Sequence, residues 1–297
     1  STLPPPLPPA PEARDDASRM CREVEILSSL SHPNIVQYFE SFVENDHLYI
    51  AMELVEGASL LDHLASFKHR DRWMAEADIW QVLLAVIQAL SYVHGQMKVV
   101  HRDLTPSNII LGQGIDGLRH SKIADFGLAK RLGSSTVAQS VVGTMPYTCP
   151  EIVQQEQYTE KADIWSLGCV AYHMLMRKPP FEGSNPLSIA SRVVEGSYPA
   201  LQDPPRSSGM PPYSAQLKQL VVALLTVDPR RRPAIDDVAK FVSNQLVSQM
   251  GRTVSAEQKL ARILDSEKAQ NRSLQRRLAA AEAALQQLVL MTSIGNG

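Results

Sequence analysis

The sequence predicts an α+β fold in which a short helical segment and two strands precede a larger, mainly helical region. Alternating apolar side chains predict strands at residues 35–42 and 47–53, with a polar turn between them. Residues 57–60 are predicted to begin a short helix. Apolar residues at helical spacing predict a long helix at 75–97 and a mainly helical region from 161 to 248.

The composition excludes several classes of protein. It contains 44% hydrophobic and 20% charged residues, as an ordinary globular protein does. The formal net charge is −2 at pH 7, so we expect no broad basic surface and no nucleic-acid partner. No uninterrupted apolar run approaches the ~18 residues of a membrane-spanning helix, so we expect no membrane partner. The three cysteines, Cys21, Cys149 and Cys169, are scattered, which is typical of reduced thiols in the cytosol or nucleus, and we expect a cytoplasmic location.

Residues 256–290 carry a heptad pattern that predicts a C-terminal coiled-coil helix. Seven of the nine seam positions between Leu260 and Leu288 are apolar. Asn271 occupies one seam position, where a polar side chain favours a defined register in two-stranded coils. The pattern therefore predicts a homodimer through residues 256–290. A single amphipathic helix that folds back on the rest of the chain is the alternative.

The strongest chemical signal combines two short motifs. Residues 101–108 are His-Arg-Asp-Leu-Thr-Pro-Ser-Asn, and residues 125–127 are Asp-Phe-Gly. Phosphoryl transfer needs a carboxylate beside the attacking hydroxyl and oxygen ligands for Mg²⁺. Asp103 can accept the hydroxyl proton, while Asn108 and Asp125 can offer oxygen atoms to the metal, which prefers such hard donors. These residue types predict magnesium-assisted phosphoryl transfer.

These motifs resemble the signatures of the protein kinase family, and both are complete. Cys149-Pro150-Glu151 stands where the family has Ala-Pro-Glu, and the run 163–168 resembles the helix that anchors the catalytic loop. Residues 228–233 resemble a late arginine motif, whose arginine, here Arg232, pairs in the family with the glutamate at Glu151. The resemblance implies a protein kinase-like fold with a small N-lobe and a mainly helical C-lobe.

The resemblance implies a catalytic set built on the two motifs. Asp103 is the expected proton acceptor, and Asn108 and Asp125 are the expected magnesium ligands. Thr144 occupies the position that contacts the catalytic aspartate in serine/threonine kinases. Arg102 is expected to pair with a phosphate on the activation segment, residues 125–151. The implied cofactors are ATP and Mg²⁺, and the implied partner is a protein substrate.

The nucleotide site is also implied by resemblance, since residues 49–57 resemble the last N-lobe strand and the hinge. The backbone of Glu53 and Val55 is expected to meet adenine, with Ile110 as the floor of the pocket. Glu23 lies where the family has the glutamate that pairs with the ATP-binding lysine. Glu25 is the alternative residue for this position.

Longer runs resemble the NIMA-related kinases within this family. These runs are residues 32–42, 125–130 and 141–144. Resemblance to this mitotic and ciliary group adds nuclear, centrosomal and ciliary sites to the expected cytoplasmic location. The implied organisation is a proline-rich disordered segment at 1–16, a partial N-lobe at 17–55, a C-lobe at 56–250 and the coiled coil at 256–290.

The sequence departs from the family pattern in two places. Thr105 replaces a lysine of the serine/threonine kinases, which leaves tyrosine open as the residue that accepts the phosphate. Thr144, in contrast, favours serine or threonine as the acceptor. The first three N-lobe strands are not evident, because residues 1–19 contain no glycine and no lysine and the first lysine is Lys68. Two interpretations stay open: an N-terminally incomplete chain of an active kinase, or an inactive pseudokinase that acts as a scaffold through its C-lobe and coiled coil.

Overall fold

The computed structural model describes residues 24–45, 47–113, 119–126, 130–131, 145–248 and 267–268. The chain divides into two compact units, Ser1–Val242 and Ser243–Gly297. In the first unit a small strand-containing part precedes a larger helical part, as the α+β prediction requires. In the second unit, residues 243–248 and 267–268 are helical. Glu267 and Lys268 are exposed, and the rest of the predicted coiled coil lies outside the described residues.

The strand-containing part begins with helix α1 (residues 24–29) and a two-stranded antiparallel sheet. Strand β1 covers Tyr38–Glu44 and β2 covers His47–Met52, with Phe42 opposite Tyr49. The first strand was predicted to begin three residues earlier, at residue 35. Residues 34–36 instead pair with a later segment, since Val36 N–H donates to the Ile123 carbonyl at 2.9 Å.

Large apolar side chains of this two-stranded sheet, and of Leu54 shortly after it, are exposed. Two strands alone bury little apolar surface, so packing of other protein segments against this sheet would stabilise it. The exposed side chains are Phe39, Phe42, Val43, Tyr49, Ile50, Met52 and Leu54.

A short strand leads from this part into the helical part. Strand β3 (Gly57–Ser59) pairs with a later strand, and helix α2 (Leu60–His69) starts only after Ser59, whose hydroxyl accepts from Asp62 N–H. The predicted helix start at residue 57 is therefore wrong. Gly57 permits the pairing, because a Cβ at this position would collide with the backbone of Leu111.

Two central helices form the core of the helical part. Helix α3 (Glu76–Tyr92) continues into a π-helical turn (Val93–Met97) and packs against α5 (Lys161–Met176). Both helices are buried over most of their length, and α5 packs in turn against α7 (Ala215–Leu224). Gly168 allows that approach, because a Cβ there would come within 2.8 Å of Leu224.

Helix α3 and its extension form the one helix of the described residues that is long and apolar enough to cross a membrane. Over Glu76–Met97 the most apolar window has a mean hydropathy of 1.2, and 61% of that window is buried within the protein. A core helix has the same length and composition, and α3 occupies such a position beside α5.

Short strands and turns carry the catalytic motifs between these helices. Strand β4 (Val99–Val100) pairs with β7 (Lys130–Arg131). Strands β5 (Ile109–Gln113) and β6 (Arg119–Ile123) form an antiparallel pair that extends the sheet in the order β3-β5-β6. The remaining helices are α4 (Pro150–Val153), α6 (Pro186–Glu195) and α8 (residues 235–248).

Candidate active site

The loop after β4 is held in place by one buried carboxylate of helix α5. Asp163 is fully buried and accepts the backbone N–H groups of His101 and Arg102, each at 2.8 Å. It also accepts His94 Nε2–H at 2.7 Å. Two oxygens of one side chain thus fix the backbone immediately before Asp103.

Hydrogen-bond donors around Asp163 keep its carboxylate ionised. Burial alone would raise the pKa of Asp163, but the His94 hydrogen bond and the neighbouring His94 and His101 outweigh burial and lower that pKa. Burial lowers the pKa of His101, and the negative charge of Asp163 opposes this effect only in part. Asp163 is consequently an ionised acceptor for the catalytic loop, in a region that excludes water.

Backbone strain occurs at two motif residues. Arg102 has φ of +72° and Asp125 has φ of +58°, a region that residues with a Cβ rarely adopt. Ring contacts support the distorted segments, because the His101 and Phe126 rings lie 4.4 Å apart and both side chains are buried. The surrounding packing therefore enforces this conformation on both motifs.

The β5–β6 pairing brings the two motifs together. Ile109 lies opposite Ile123, and Ala124 N–H donates to the Asn108 carbonyl at 2.8 Å. Asn108, directly before β5, is thereby placed beside Asp125, which follows Ala124. The three predicted chemical residues Asp103, Asn108 and Asp125 thus converge at one end of this strand pair.

Asn108 and Asp103 are hydrogen-bonded to each other. The Asn108 amide nitrogen donates to the Asp103 carbonyl at 2.9 Å and to its Oδ2 at 3.1 Å. Asp103 Oδ1 is buried and has no hydrogen-bond partner among the described residues. One carboxylate oxygen is thus anchored, and the other is the oxygen that can accept a proton from an incoming hydroxyl.

The available ligands fit a magnesium ion. Because the Asn108 amide nitrogen donates to Asp103, its amide oxygen is the atom that could bind a metal. Asp125 adds an exposed carboxylate. Two oxygen ligands from the protein are typical of Mg²⁺, which retains waters and takes further oxygens from substrate phosphates. The described residues contain no group of three histidine, cysteine or acidic side chains that could hold a metal ion.

The predicted adenine-facing segment lies against β5. Glu53 and Val55 follow β2, and Glu53 N–H donates to the Gln37 carbonyl at 2.8 Å. A Cβ on Gly112 would come within 2.8 Å of Val55, so the segment runs close to the strand that contains Ile110. Val55 and Ile110 are both half-buried. The structure thus brings three of the four predicted nucleotide-site residues into one region.

A comparison with protein families identifies the fold. Residues 9–242 match the model of the protein kinase domain. The chain belongs to the protein kinase family. This confirms the resemblance that was inferred from the motifs at 101–108 and 125–127.

The kinase domain is also similar to curated serine/threonine-protein kinases, two of which are members of the NIMA-related group. It is 38% identical to the serine/threonine-protein kinase Nek10 of Homo sapiens over 243 residues, which are 82% of this chain and 20% of that relative. Nek10 of Mus musculus is 39% identical over 82% of this chain and 21% of its own length. The serine/threonine-protein kinase D1044.8 of Caenorhabditis elegans is 39% identical over 78% of this chain and 22% of its own. The chain spans about a fifth of the length of these relatives.

The kinase domain contains the predicted pair between Glu151 and Arg232. Arg232 NH1 and NH2 donate to the two carboxylate oxygens of Glu151, each at 3.0 Å, and both residues are buried. Arg232 also donates to backbone carbonyls of Lys161 and Val227. Arg232, which follows α7, therefore joins Glu151 at the end of the activation segment to the Lys161 carbonyl at the start of α5.

Two of the predicted site residues belong to segments that the structure does not describe. Glu23 and Thr144 lie outside the described residues, as do most residues of the activation segment. Arg102 is described, and its guanidinium carbon lies 5.2 Å from the centre of the Tyr158 ring. This contact places Arg102 next to the segment that follows helix α4.

Sequence reasoning missed three contributors to the kinase site. His94 supports Asp163, Lys122 pairs with Glu53, and His173 forms a 2.7 Å hydrogen bond with the Tyr147 hydroxyl. Each joins residues far apart in the chain, so no local pattern could have revealed it. The only available signal was that each lies within, or a few residues from, a motif segment.

Proposed function

We propose that this chain provides the catalytic C-lobe of a protein kinase that transfers the γ-phosphate of ATP to serine or threonine hydroxyls of proteins. The observation that carries the proposal is the convergence of Asp103, Asn108 and Asp125 at the end of the β5–β6 pair. The similar proteins named above are serine/threonine kinases, which favours these acceptors over tyrosine.

The chemical step uses the two oxygens of Asp103 differently. Oδ2 is held by Asn108, and Oδ1 accepts the proton of the attacking hydroxyl. The hydroxyl oxygen forms a bond to the γ-phosphorus while the bond from that phosphorus to the β–γ bridging oxygen breaks. The products are a protein phosphoester and ADP, and the proton resides on Asp103 until solvent removes it.

Asn108 and Asp125 would hold the metal in this proposal. A bound magnesium ion neutralises charge on the phosphates and orients them. The backbone of Glu53 and Val55 would bind adenine, and Ile110 would contact its face. Glu23 would pair with the ATP-binding lysine, and Thr144 would contact Asp103.

The test replaces the proposed acid–base and metal groups in the full-length protein. We expect Asp103→Asn and Asp125→Ala each to lower phosphate transfer to casein by about a thousandfold, within the usual range for such groups. Asp236→Asn, at an exposed aspartate of α8, is the matched control and should retain wild-type turnover. Wild-type turnover in both active-site variants, with unchanged melting temperatures, would refute the proposal.

One observation favours a scaffold as the second candidate. Thr105 is buried, with 4% exposure, so the position that is lysine in serine/threonine kinases offers no cation to a phosphate. A scaffold predicts no shift of the melting temperature on addition of Mg·ATP. It also predicts that Asp103→Asn leaves the cellular role intact, which the catalytic proposal forbids.

We also propose that the chain forms a homodimer through residues 256–290 and acts in the cytoplasm. The heptad pattern supports the dimer, and the buried free thiols of Cys149 and Cys169 are compatible with a reducing compartment. Leu274→Asp with Leu278→Asp should convert a dimer into a monomer in light scattering. The control Ala279→Asp with Ala280→Asp places the same charges off the seam, and equal masses for both variants would contradict the dimer.

A further inference from the structure

A half-buried ion pair joins the segment after β2 to the strand that precedes Asp125. Lys122 Nζ lies 2.8 Å from Glu53 Oε1 and 2.8 Å from Oε2. The side chains are 18% and 28% exposed, respectively, so the pair is screened less than a surface pair. Lys122 and Glu53 are 69 positions apart in the chain, and they form a direct link between two segments of the proposed nucleotide site.

The glutamate end of the pair is fixed on the side of the adenine-facing segment. Glu53 N–H donates to the Gln37 carbonyl at 2.8 Å, while Glu53 Oε2 accepts Gln37 N–H at 3.1 Å. The first bond fixes the backbone at Glu53, and the second orients its carboxylate without help from Lys122. Loss of the lysine should therefore leave the local backbone at residues 53–55 in place.

The lysine end lies on the strand that leads to the proposed metal ligand. Lys122 is paired with Ile110 in the β5–β6 register, and Asp125 follows three positions later. The strand pairing thus fixes the backbone of Lys122 relative to the backbone of Asp125.

The local electrostatics agree with a persistent pair. Burial would raise the pKa of Glu53, but hydrogen bonds from Lys122 and Gln37 and the charge of Lys122 lower it. Burial, with a smaller effect of the Lys122 charge, lowers the pKa of His32. The Lys122 charge therefore lowers the pKa of both Glu53 and His32.

We infer that Glu53 and Lys122 form a positioning pair that sets the distance between the adenine-binding backbone at residues 53–55 and the metal ligand Asp125. This inference rests on the proposed kinase function. A nucleotide that is bound at both ends, through adenine and through its metal-bound phosphates, depends on that distance. A ligand that is bound through adenine alone does not.

The experiment compares those two kinds of ligand in the full-length protein. We expect Lys122→Met to raise the KM for Mg·ATP about fivefold, equivalent to about 1 kcal/mol, while the KM for the protein substrate stays unchanged. The inhibition constant of adenosine should change by less than about twofold, because the Gln37 bonds retain the segment at 53–55. Lys122→Arg keeps the charge and should restore most of the affinity for Mg·ATP.

A control variant separates this effect from general loss of an ion pair. Lys218 lies 2.6 Å from Asp203 in a partly exposed pair on α7, so Lys218→Met removes an equivalent charge away from the site. It should leave the KM for Mg·ATP unchanged. The charge exchange Glu53→Lys with Lys122→Glu should recover affinity relative to Glu53→Lys alone, which tests the pair itself.

The inference is overturned if Lys122→Met leaves the KM for Mg·ATP unchanged, or if Mg·ATP and adenosine weaken by the same factor. Either result would show that the pair does not relate the two ends of the nucleotide. The proposed function fails by a different result: a wild-type protein that transfers no phosphate, or an Asp103→Asn variant that transfers it normally.

Discussion

The buried pair between Arg232 and Glu151 should contribute strongly to the stability of the kinase domain. The perturbation is Glu151→Gln, which keeps the size of the side chain and removes its charge. Arg232 has no exposed side-chain surface, and Glu151 is 4% exposed. After the substitution the guanidinium would retain the carbonyls of Thr226, Lys161 and Val227, but no opposite charge.

The expected cost follows from this geometry. Removal of one partner from a buried ion pair typically costs about 3 to 5 kcal/mol, because the remaining charge stays desolvated. Glutamine can still accept one hydrogen bond, which places Glu151→Gln at about 3 kcal/mol. For a domain of this size that loss corresponds to a fall of about 6 to 12 °C in melting temperature.

The assay is thermal unfolding of the full-length protein with Glu156→Gln as the control, since Glu156 is exposed and lies five positions further on. The double variant Glu151→Gln with Arg232→Met should be less destabilised than the sum of the single variants, because both partners are then removed. A fall of less than about 2 °C for Glu151→Gln, or simple additivity in the double variant, would refute the reasoning.

Three further outcomes are expected. Burial lowers the pKa of His173 to about 4, so the unfolded chain binds a proton at a higher pH than the folded protein does. The free energy of unfolding should therefore fall as the pH drops from about 6.5 to 4, by up to ~1.4 kcal/mol per pH unit. His173→Gln should remove this fall in melting temperatures measured against pH. Ser214 caps α7 and donates to Glu76, so Ser214→Ala should cost about 1 kcal/mol in denaturant unfolding, and an unchanged midpoint would contradict the capping role. Gly57→Ala should cost about 1 to 3 kcal/mol, because its Cβ would meet the backbone of Leu111; a variant as stable as wild type would show that β3 can move away.

Local patterns in the sequence predicted the longest helices and the segments that contain the motifs. The long helix at 75–97 is confirmed as α3 and its π-helical turn, because its apolar stripe faces a real core. The pair of Arg232 with Glu151 is also confirmed, although it came from family resemblance. The convergence of Asp103, Asn108 and Asp125 agrees with the motif argument, while their roles stay predictions.

The errors share a physical cause, which is pairing between distant segments. Residues 35–37 have the alternation of a strand, but residues 34–36 pair with β6, so β1 starts later. Residues 57–59 precede a good helix, yet pairing with β5 makes them a strand. The Glu53–Lys122 pair joins two charges that no periodicity relates. The spacing of apolar residues within a segment shows which of its faces is buried. Pairing between distant segments depends on how the whole chain folds, which that spacing does not show.

The left-handed backbone at Arg102 and Asp125 has a consequence for protein engineering. Glycine adopts such angles without penalty, whereas other residues cost about 1 kcal/mol or more at each position. A library selected only for heat resistance would therefore enrich glycine at both positions and discard the Arg102 side chain and the proposed metal ligand Asp125. Enrichment maps from such a library would mark these two positions as sites where selection for function opposes selection for folding.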